Sequence, residues 1–229
     1  MLYEGVEYTI DELKKLSHVK RAKIAANPDT PVEVLTALAN DGYNDVKCGL
    51  ARNPLCPAAI ISRLADEKDG DVRQAVAMSN KSTESILKKL MYSRSANVRE
   101  GVALSPNATD QILSVLANDN SILVRCAVAA NPKASVEILD SLTATMTKQL
   151  CNEVAGNEST SADTLAKLAR FPDWRIRKRV AENTSSTEDV LMILADDGCQ
   201  FVLDQVEKNP NRTEKVIEAV NESRRKYID

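Results

Sequence analysis

The chain has 229 residues, a formal net charge of −3 at pH 7 and a sequence pI near 5.4. This mildly acidic balance excludes a protein that attracts nucleic acid through its overall charge, although a local basic patch is still compatible with it. Aromatic residues are only 3% of the chain against 43% apolar residues in total, so we predict a core of Leu, Ile, Val and Ala.

The remaining composition points to an intracellular protein. The first 20 residues are charged and lack the apolar run of a signal peptide, and no stretch approaches the roughly 20 apolar residues of a membrane span. The five cysteines include no CxxC pair, which favours free thiols in a reducing compartment over disulfides or a metal site. We therefore expect a soluble cytoplasmic protein with no membrane partner, no metal and no cofactor.

The first predicted element is a cap helix within residues 1–18. Thr9 and Glu12 have the spacing of a capping box, in which each side chain bonds the backbone of the other. Leu13 and Leu16 would form the apolar edge of the helix. Terminal units of a repeat array need a polar outer face, and the charged residues around these leucines supply one.

Residues 19–220 repeat with a period of 26 residues, in eight copies. Ala25 recurs at 51, 77, 103, 129, 155 and 181, and Leu38 recurs at every step until Val220 replaces it. Each copy predicts a short first helix that ends at Asn or Ser, often before Pro, and a second helix that begins at a hydroxyl residue such as Thr30, Thr83 or Ser161. Neither helix is long enough to be stable alone, so the copies must stack on their neighbours. Residues 221–229 are predicted to be a polar C-terminal cap.

The repeat resembles the leucine-rich repeat variant family. The motif is Val-Arg-x-x-Val-Ala-x-Asn-Pro followed by Leu-x-x-Leu-Ala-x-Asp, and the best copy runs from Val124 to Pro132. The resemblance covers nearly the whole chain and implies an all-α, HEAT-like solenoid. It implies a right-handed superhelix in which one helix of each pair tends to 3₁₀ geometry, with no β-sheet. Some members carry an iron–sulfur cluster on cysteines ahead of the repeats; here the first cysteine, Cys48, lies inside a repeat, so we expect no cluster.

Two rows of polar residues recur with the repeat. The arginine row occupies one position of the first helix, and the asparagine row marks the end of that helix. The arginines fit either a ladder of Arg–Asp pairs between repeats or a surface that tracks a phosphate backbone. For the asparagines we predict a structural role, the bonding of orphan backbone groups at the turn. The arginine row is Arg21, Lys47, Arg73, Arg99, Arg125 and Arg177, and the asparagine row is Asn27, Asn53, Asn131, Asn157, Asn183 and Asn209.

The repeat is least regular around residues 143–179. Cys151 replaces the basic residue of the row, and the segment 170–179 replaces the usual Asp- and Gly-rich link. That segment combines five cations with the single tryptophan of the chain. This fits either an interaction hot spot or aromatic side chains that fill a kink in the stack, with the arginines solvated. Our candidate binding residues are therefore Arg170, Phe171, Trp174, Arg175, Arg177, Lys178 and Arg179, together with Arg73, Arg99 and Arg125 of the row.

We expect a non-enzymatic, monomeric scaffold that binds a protein partner through its extended surface. The sole histidine, His18, has no evident nucleophile beside it, and no Gly-rich phosphate loop is present. Nucleic-acid binding through the arginine row and the 170–179 segment is the alternative. A more remote reading is a HEAT-like DNA glycosylase, for which Asp173 beside Trp174 would supply an acid and an aromatic residue.

Overall fold

A computed structural model describes residues 2, 3, 6, 7, 9–145 and 147–226, with side chains for residues 9, 11–145 and 147–226. Of the predicted caps, residues 1, 4, 5, 8 and 227–229 lie outside the described part of the chain. The chain divides into two compact units, residues 1–116 and residues 117–229. Within each unit the helices pack in series, and the predicted all-α solenoid class is confirmed.

The N-terminal cap contains helix α1, Ile10–Lys15. Thr9 accepts a hydrogen bond from the Glu12 amide, and the Glu12 carboxylate accepts one from the Thr9 amide at 2.9 Å, so the predicted capping box is present. These bonds to Thr9 hold the pKa of Glu12 below its usual value. Leu13 is buried, as the apolar edge of the helix requires.

The first helices of the repeats form one layer in each unit, where each packs against the first helix of the neighbouring repeat. In the unit 1–116 they are α2 (His18–Ala26), α4 (Asn44–Arg52), α6 (Gly70–Ala77) and α8 (Ala96–Ala103). In the unit 117–229 they are α10 (Ile122–Ala130), α12 (Lys148–Gly156), α14 (Trp174–Glu182) and α16 (Gln200–Lys208).

The second helices form the other layer. In the first unit they are α3 (Val32–Leu38), α5 (Ala58–Leu64), α7 (Glu84–Leu90) and α9 (Asp110–Leu116). In the second unit they are α11 (Val136–Leu142), α13 (Ala162–Leu168), α15 (Glu188–Leu194) and α17 (Glu214–Lys226). The last helix, α17, thus continues six residues past the predicted end of the array at 220.

Three details differ from the sequence analysis. The second helices are α-helices of seven residues except α17, which has 13, and the 3₁₀ geometry that we expected for one helix of each pair occurs, within the described residues, only at Thr143–Thr145. Where we expected no sheet, Leu2–Tyr3 pairs antiparallel with Val6–Glu7 ahead of the array. Strands of two residues are too short to show an alternating pattern in the sequence. Thr30 is not an N-cap: Pro31 holds that position, while Thr83 and Ser161 cap their helices as predicted.

The core between the two layers consists of the repeating apolar positions. The residue before each repeating alanine is fully buried in copy after copy, as Leu50, Val76 and Val154 illustrate. The alanines themselves are buried too, because the first helices approach closely. A Cβ on Gly49 would lie 2.8 Å from the Ala22 carbonyl oxygen, so this contact between α2 and α4 requires glycine.

The asparagine row connects consecutive repeats. Asn157 is buried at the end of α12, and its Nδ2 donates to the carbonyl oxygens of Ala129 at 2.8 Å and Asn131 at 2.9 Å in the preceding repeat. Its Oδ1 accepts from the Ser159 amide. The predicted structural role is therefore confirmed for the residues that repeat this pattern, Asn53, Asn157, Asn183 and Asn209.

A second set of bonds satisfies another carbonyl at the same helix end. The hydroxyl that follows the turn donates back to the carbonyl six residues earlier, as Thr160 does to Val154 at 2.6 Å and Ser186 to Val180 at 2.6 Å. This is what Thr30 does instead of capping α3, since it donates to the Ile24 carbonyl at 2.5 Å. Buried carbonyls without partners are costly, so both sets of bonds are needed to end a helix inside the stack.

We predict that Asn157→Asp lowers the stability of the unit 117–229 strongly. The carboxylate cannot donate to the two buried carbonyls, and such unsatisfied groups cost about 1–3 kcal/mol each. Urea unfolding followed by circular dichroism should show a clear fall in midpoint. The matched control is Asn80→Asp, which should leave the midpoint nearly unchanged because the Asn80 side chain is exposed. Equal effects of the two substitutions would contradict the role of the asparagine row.

Candidate functional site

The arginine row bonds the chain that links one repeat to the next. In each case NH1 of the guanidinium donates to the carbonyl six residues earlier: Arg73 to Glu67 at 2.6 Å, Arg99 to Ser93 at 2.7 Å and Arg125 to Asp119 at 2.6 Å. Arg177 donates in the same way to Phe171 at 2.9 Å. These side chains are half-buried, and the bonds fix the linker that leads into each first helix.

The other edge of the guanidinium pairs with an acid twenty residues later. Nε of Arg177 is 2.5 Å from Oδ2 of Asp197, and NH2 is 3.0 Å from Oδ1. Arg21 binds Asp41 with the same two nitrogens, and Lys47 pairs with Glu67 at 2.9 Å. The hydrogen bond that Arg177 donates to Asp197 raises the pKa of Arg177 above its usual value, although burial opposes this.

The ladder that we considered for the row is thus present at these three positions. Its acids are the loop residues twenty positions further along the chain, Asp41, Glu67 and Asp197. Cys151, which breaks the row, has Phe171 twenty residues later. Base and acid have therefore been replaced together, as expected where an unpaired buried charge would be costly. Phe171 occupies the position that an acid holds in the other pairs, and its side chain is half-buried.

Helix α14 brings most of the remaining candidates together. Asp173 caps its N-terminus by accepting from the Arg175 amide at 2.9 Å, and Trp174 is its first residue. Arg175, Lys178 and Arg179 are three and four residues apart, so they share one side of the helix. Arg170 lies before the cap, where it donates to the Ala166 carbonyl at 2.8 Å, and Arg177 lies in the ladder.

Trp174 belongs to an aromatic cluster between α14 and α16. Its ring stacks on Phe201, with centroids 5.2 Å apart and planes 26° apart. The Arg175 guanidinium lies 4.8 Å from the centroid of the Trp174 ring, within the range of a cation–π contact. Phe201 is 60% exposed, so the cluster presents an apolar surface to solvent. We define the α14 face as Trp174, Arg175, Lys178, Arg179 and Phe201.

The positive charge of this face is only partly neutralised. Lys178 pairs with Glu182 at 2.9 Å, and the exposed Arg175 lies 3.7 Å from Asp173. Arg179 is exposed and forms no hydrogen bond or ion pair with any residue that the structure describes. Its guanidinium lies over Gly156, where a Cβ would collide with Nε. The glycine thus leaves room for Arg179 at the surface.

Asp173 is fully engaged as a cap. Besides the Arg175 amide it pairs with Lys148 at 2.5 Å, and these bonds, that to Lys148 first, hold its pKa below the usual value. A carboxylate with a lowered pKa is a weak proton acceptor. Asp173 therefore does not resemble the carboxyl group of raised pKa that general acid–base catalysis at neutral pH requires. Among the described residues, no group of His, Cys, Asp or Glu is placed to hold a metal ion.

The first unit has a groove of about 530 Å³ on its layer of first helices. Its lining includes Ala22, Cys48 and Gly49 together with the charged Asp45, Arg52 and Asp71. The lining charges are of both signs, and none of the candidate residues from the sequence analysis lies here. The groove therefore lacks the concentrated positive charge of the α14 face.

Sequence reasoning missed Phe201. It lies one repeat after Arg175, at a distance of 26 residues, and that spacing was the available signal. We examined the 170–179 segment as a contiguous stretch, whereas neighbours on a solenoid surface are one period apart.

The comparisons with known proteins agree with the fold. No protein-family model matches the sequence, and no curated protein matches it either. A solved structure described as a leucine-rich repeat variant with a novel repetitive structural motif is 20% identical, with a TM-score of 0.53 over 94% of this chain and 87% of that one. The predicted resemblance is thereby confirmed for the fold. No helix that the structure describes has the length and apolar character to cross a membrane.

We predict that the buried thiols react slowly in the folded protein. Burial raises the pKa of Cys56 to about 11, so at pH 8 only roughly one molecule in a thousand carries the thiolate. Burial also raises the pKa values of Cys48 and Cys151. Alkylation followed by mass spectrometry should therefore label Cys56 far more slowly in buffer than in concentrated urea, with the half-exposed Cys199 labelled earlier. Equal rates for Cys56 in both conditions would contradict its burial.

Proposed function

We propose that the chain is a non-enzymatic, cytoplasmic interaction scaffold. We further propose that its α14 face binds an acidic segment of a protein partner that also carries an apolar side chain. The observation that carries this proposal is the aromatic pair of half-exposed Trp174 and exposed Phe201, which lies beside cations that the repeat does not use.

The composition of the face is that of an interface hot spot. Trp and Arg are the residues most enriched among those that dominate binding energy, and such residues cluster in one patch. Trp174 stacks on Phe201 and lies in cation–π contact with Arg175, and both contacts limit the side-chain entropy lost on binding. An apolar side chain of the partner would cover the aromatic rings and exclude water from them.

Charge complementarity favours an acidic partner. The chain as a whole is negative, so the positive α14 face is a local exception that would orient an acidic segment. Arg179 has no partner among the described residues and offers a complete guanidinium edge to a carboxylate.

The contacts of the arginine row favour a protein over a nucleic acid. A phosphate backbone would need cations along several repeats, but Arg73, Arg99 and Arg125 each donate to the chain itself, and Arg177 holds Asp197. The α14 face, by contrast, is one compact patch, which suits a short acidic segment.

We predict that a labelled peptide of glutamates flanking a leucine binds to the protein and that Trp174→Ala weakens this binding about 30-fold. This corresponds to roughly 2 kcal/mol, a usual value for a hot-spot aromatic residue. Arg179→Glu should also weaken binding, and more so at low salt, since its contribution is electrostatic. Fluorescence anisotropy of the peptide at two salt concentrations measures both effects.

The matched controls are Tyr92→Ala and Arg94→Glu in the other unit. Both residues are exposed, with Tyr92 at 73%, and neither belongs to the α14 face. Each control should bind the peptide like the unchanged protein. No peptide binding, or equal loss in the controls, would contradict the proposal.

Single- and double-stranded oligonucleotides in the same assay test the alternative. If they bind more tightly than the peptide, with a steep salt dependence that Arg179→Glu reduces, the α14 face is a nucleic-acid site and the protein proposal is wrong.

A further inference from the structure

The Arg125 pair of the ladder lacks its acid. Twenty residues after Arg125 stands Thr145, at the position that Asp41 and Asp197 hold relative to Arg21 and Arg177. The ladder therefore contains an arginine whose partner position carries a short neutral hydroxyl side chain.

The complete pairs show what the missing acid does. In Arg177, NH1 donates to the backbone carbonyl of Phe171, while Nε and NH2 hold the two oxygens of Asp197 at 2.5 and 3.0 Å. In Arg21, Nε and NH2 hold Asp41 in the same way, at 2.6 and 3.4 Å. One edge of the guanidinium thus donates to a backbone carbonyl, and the other edge donates to the two oxygens of a carboxylate.

Arg125 makes the backbone bond of the first edge, but its second edge has no partner among the described residues. Its NH1 donates to the Asp119 carbonyl at 2.6 Å, as in the other pairs. Its Nε and NH2 donate to none of the residues that the structure describes, and the hydroxyl of the exposed Thr145 forms no hydrogen bond within that part either. The side chain is therefore oriented for an anion that the chain does not supply.

A cavity lies at this point. It has a volume of about 400 Å³ and is lined by Arg125 and Thr145 together with Asn118, Asp119, Ser141 and several other residues. The Ser141 hydroxyl donates to the Ile138 carbonyl at 2.7 Å, so the Thr145 hydroxyl is the donor that can turn toward a ligand. The space exceeds what one carboxylate fills.

Asp119 contributes a negative charge to the lining, but the ladder tolerates such a neighbour. Lys47 has an acid, Asp41, at the same place six residues earlier and still pairs with Glu67 at 2.9 Å. One oxygen of Asp119 accepts from the Ser121 amide at 2.8 Å, just as Asp41 accepts from the Tyr43 amide. An acid at this place therefore does not prevent the next pair from forming.

We propose that Arg125 and Thr145 form an oxyanion-binding site, which takes a phosphate or carboxylate group on the Nε–NH2 edge of Arg125. Two oxygens of the ligand occupy the places that the Asp197 oxygens occupy on Arg177, and a third accepts from Thr145. The site is formed by α10 and the turn after α11, so it is separate from the α14 face and does not depend on the function proposed for that face.

The test is a thermal-unfolding titration with sodium phosphate and, separately, sodium acetate, each compared with sodium chloride at the same ionic strength. We expect a saturable rise in melting temperature with phosphate. A rise with acetate as well extends the site to carboxylate groups, and a rise with phosphate alone restricts it to phosphate. No rise with either anion would overturn the proposal.

Three variants locate the effect. Arg125→Gln should weaken phosphate binding about tenfold, because the substitution removes the charged guanidinium and its two parallel donors. Thr145→Asp should place a carboxylate in the site from the chain itself, which raises the melting temperature without added anion by about 2 °C and abolishes the phosphate response. Thr145→Asn, which adds similar bulk without charge, should keep the response. A response that persists undiminished in Thr145→Asp would overturn the proposal.

A further variant transfers the site. Asp197→Thr removes the acid from the Arg177 pair, so in the Thr145→Asp background it should restore a phosphate response. Arg73 also has a hydroxyl residue, Ser93, twenty positions on, and all titrations are therefore repeated with Arg73→Gln to remove its contribution. If Asp197→Thr lowers the yield of folded protein, the Thr145 variants alone decide the question.

Discussion

The side-chain amide of a buried asparagine is the contact on which the stack depends. Each first helix must end inside the protein, because the chain has to turn back into the second layer within a few residues. Its last carbonyls are then out of reach of water, and no strand or further helical turn can satisfy them. The Nδ2 atoms of Asn53, Asn157, Asn183 and Asn209 donate to these carbonyls from the following repeat. The hydrogen bonds that end one first helix therefore require the next repeat.

A further side-chain amide bonds the preceding repeat two residues after the helix end. Asn107 donates to the carbonyls of Asn80 and Ser82, and Asn211 donates to those of Thr184 and Ser186. The arginine row adds a second connection, which holds the linker on one edge and a loop acid on the other.

These two networks determine which polar side chains are available for function. Most of the conspicuous arginines are bonded within the stack, which is why a row of cations on the sequence does not form a row of free cations on the surface. The exceptions are Arg179, which lies over Gly156 without a partner among the described residues, and Arg73 and Arg125, whose acid positions hold Ser93 and Thr145. The cations without a partner among the described residues therefore include positions where the repeat is irregular.

The period predicted much of this arrangement, because the helices, their ends and the buried alanines follow directly from positions that recur every 26 residues. The ladder was harder to predict, since the acid that Arg177 binds is twenty residues away and the nearer Asp173 is a helix cap. Phe201 was missed for a related reason: its contact with Trp174 runs between repeats and leaves no mark on the local sequence. Side-chain contacts between repeats depend on rotamers, which a sequence pattern does not specify.

The most direct measurement is quenching of the fluorescence of Trp174, the only tryptophan of the chain. This ring is half-exposed beside the Arg175 guanidinium, so iodide should quench it more strongly than caesium at equal ionic strength, and an acidic peptide with a leucine should protect it from iodide. Equal quenching by the two ions, or no protection by a peptide that binds, would contradict the claim that the α14 face is an open, positively charged docking surface.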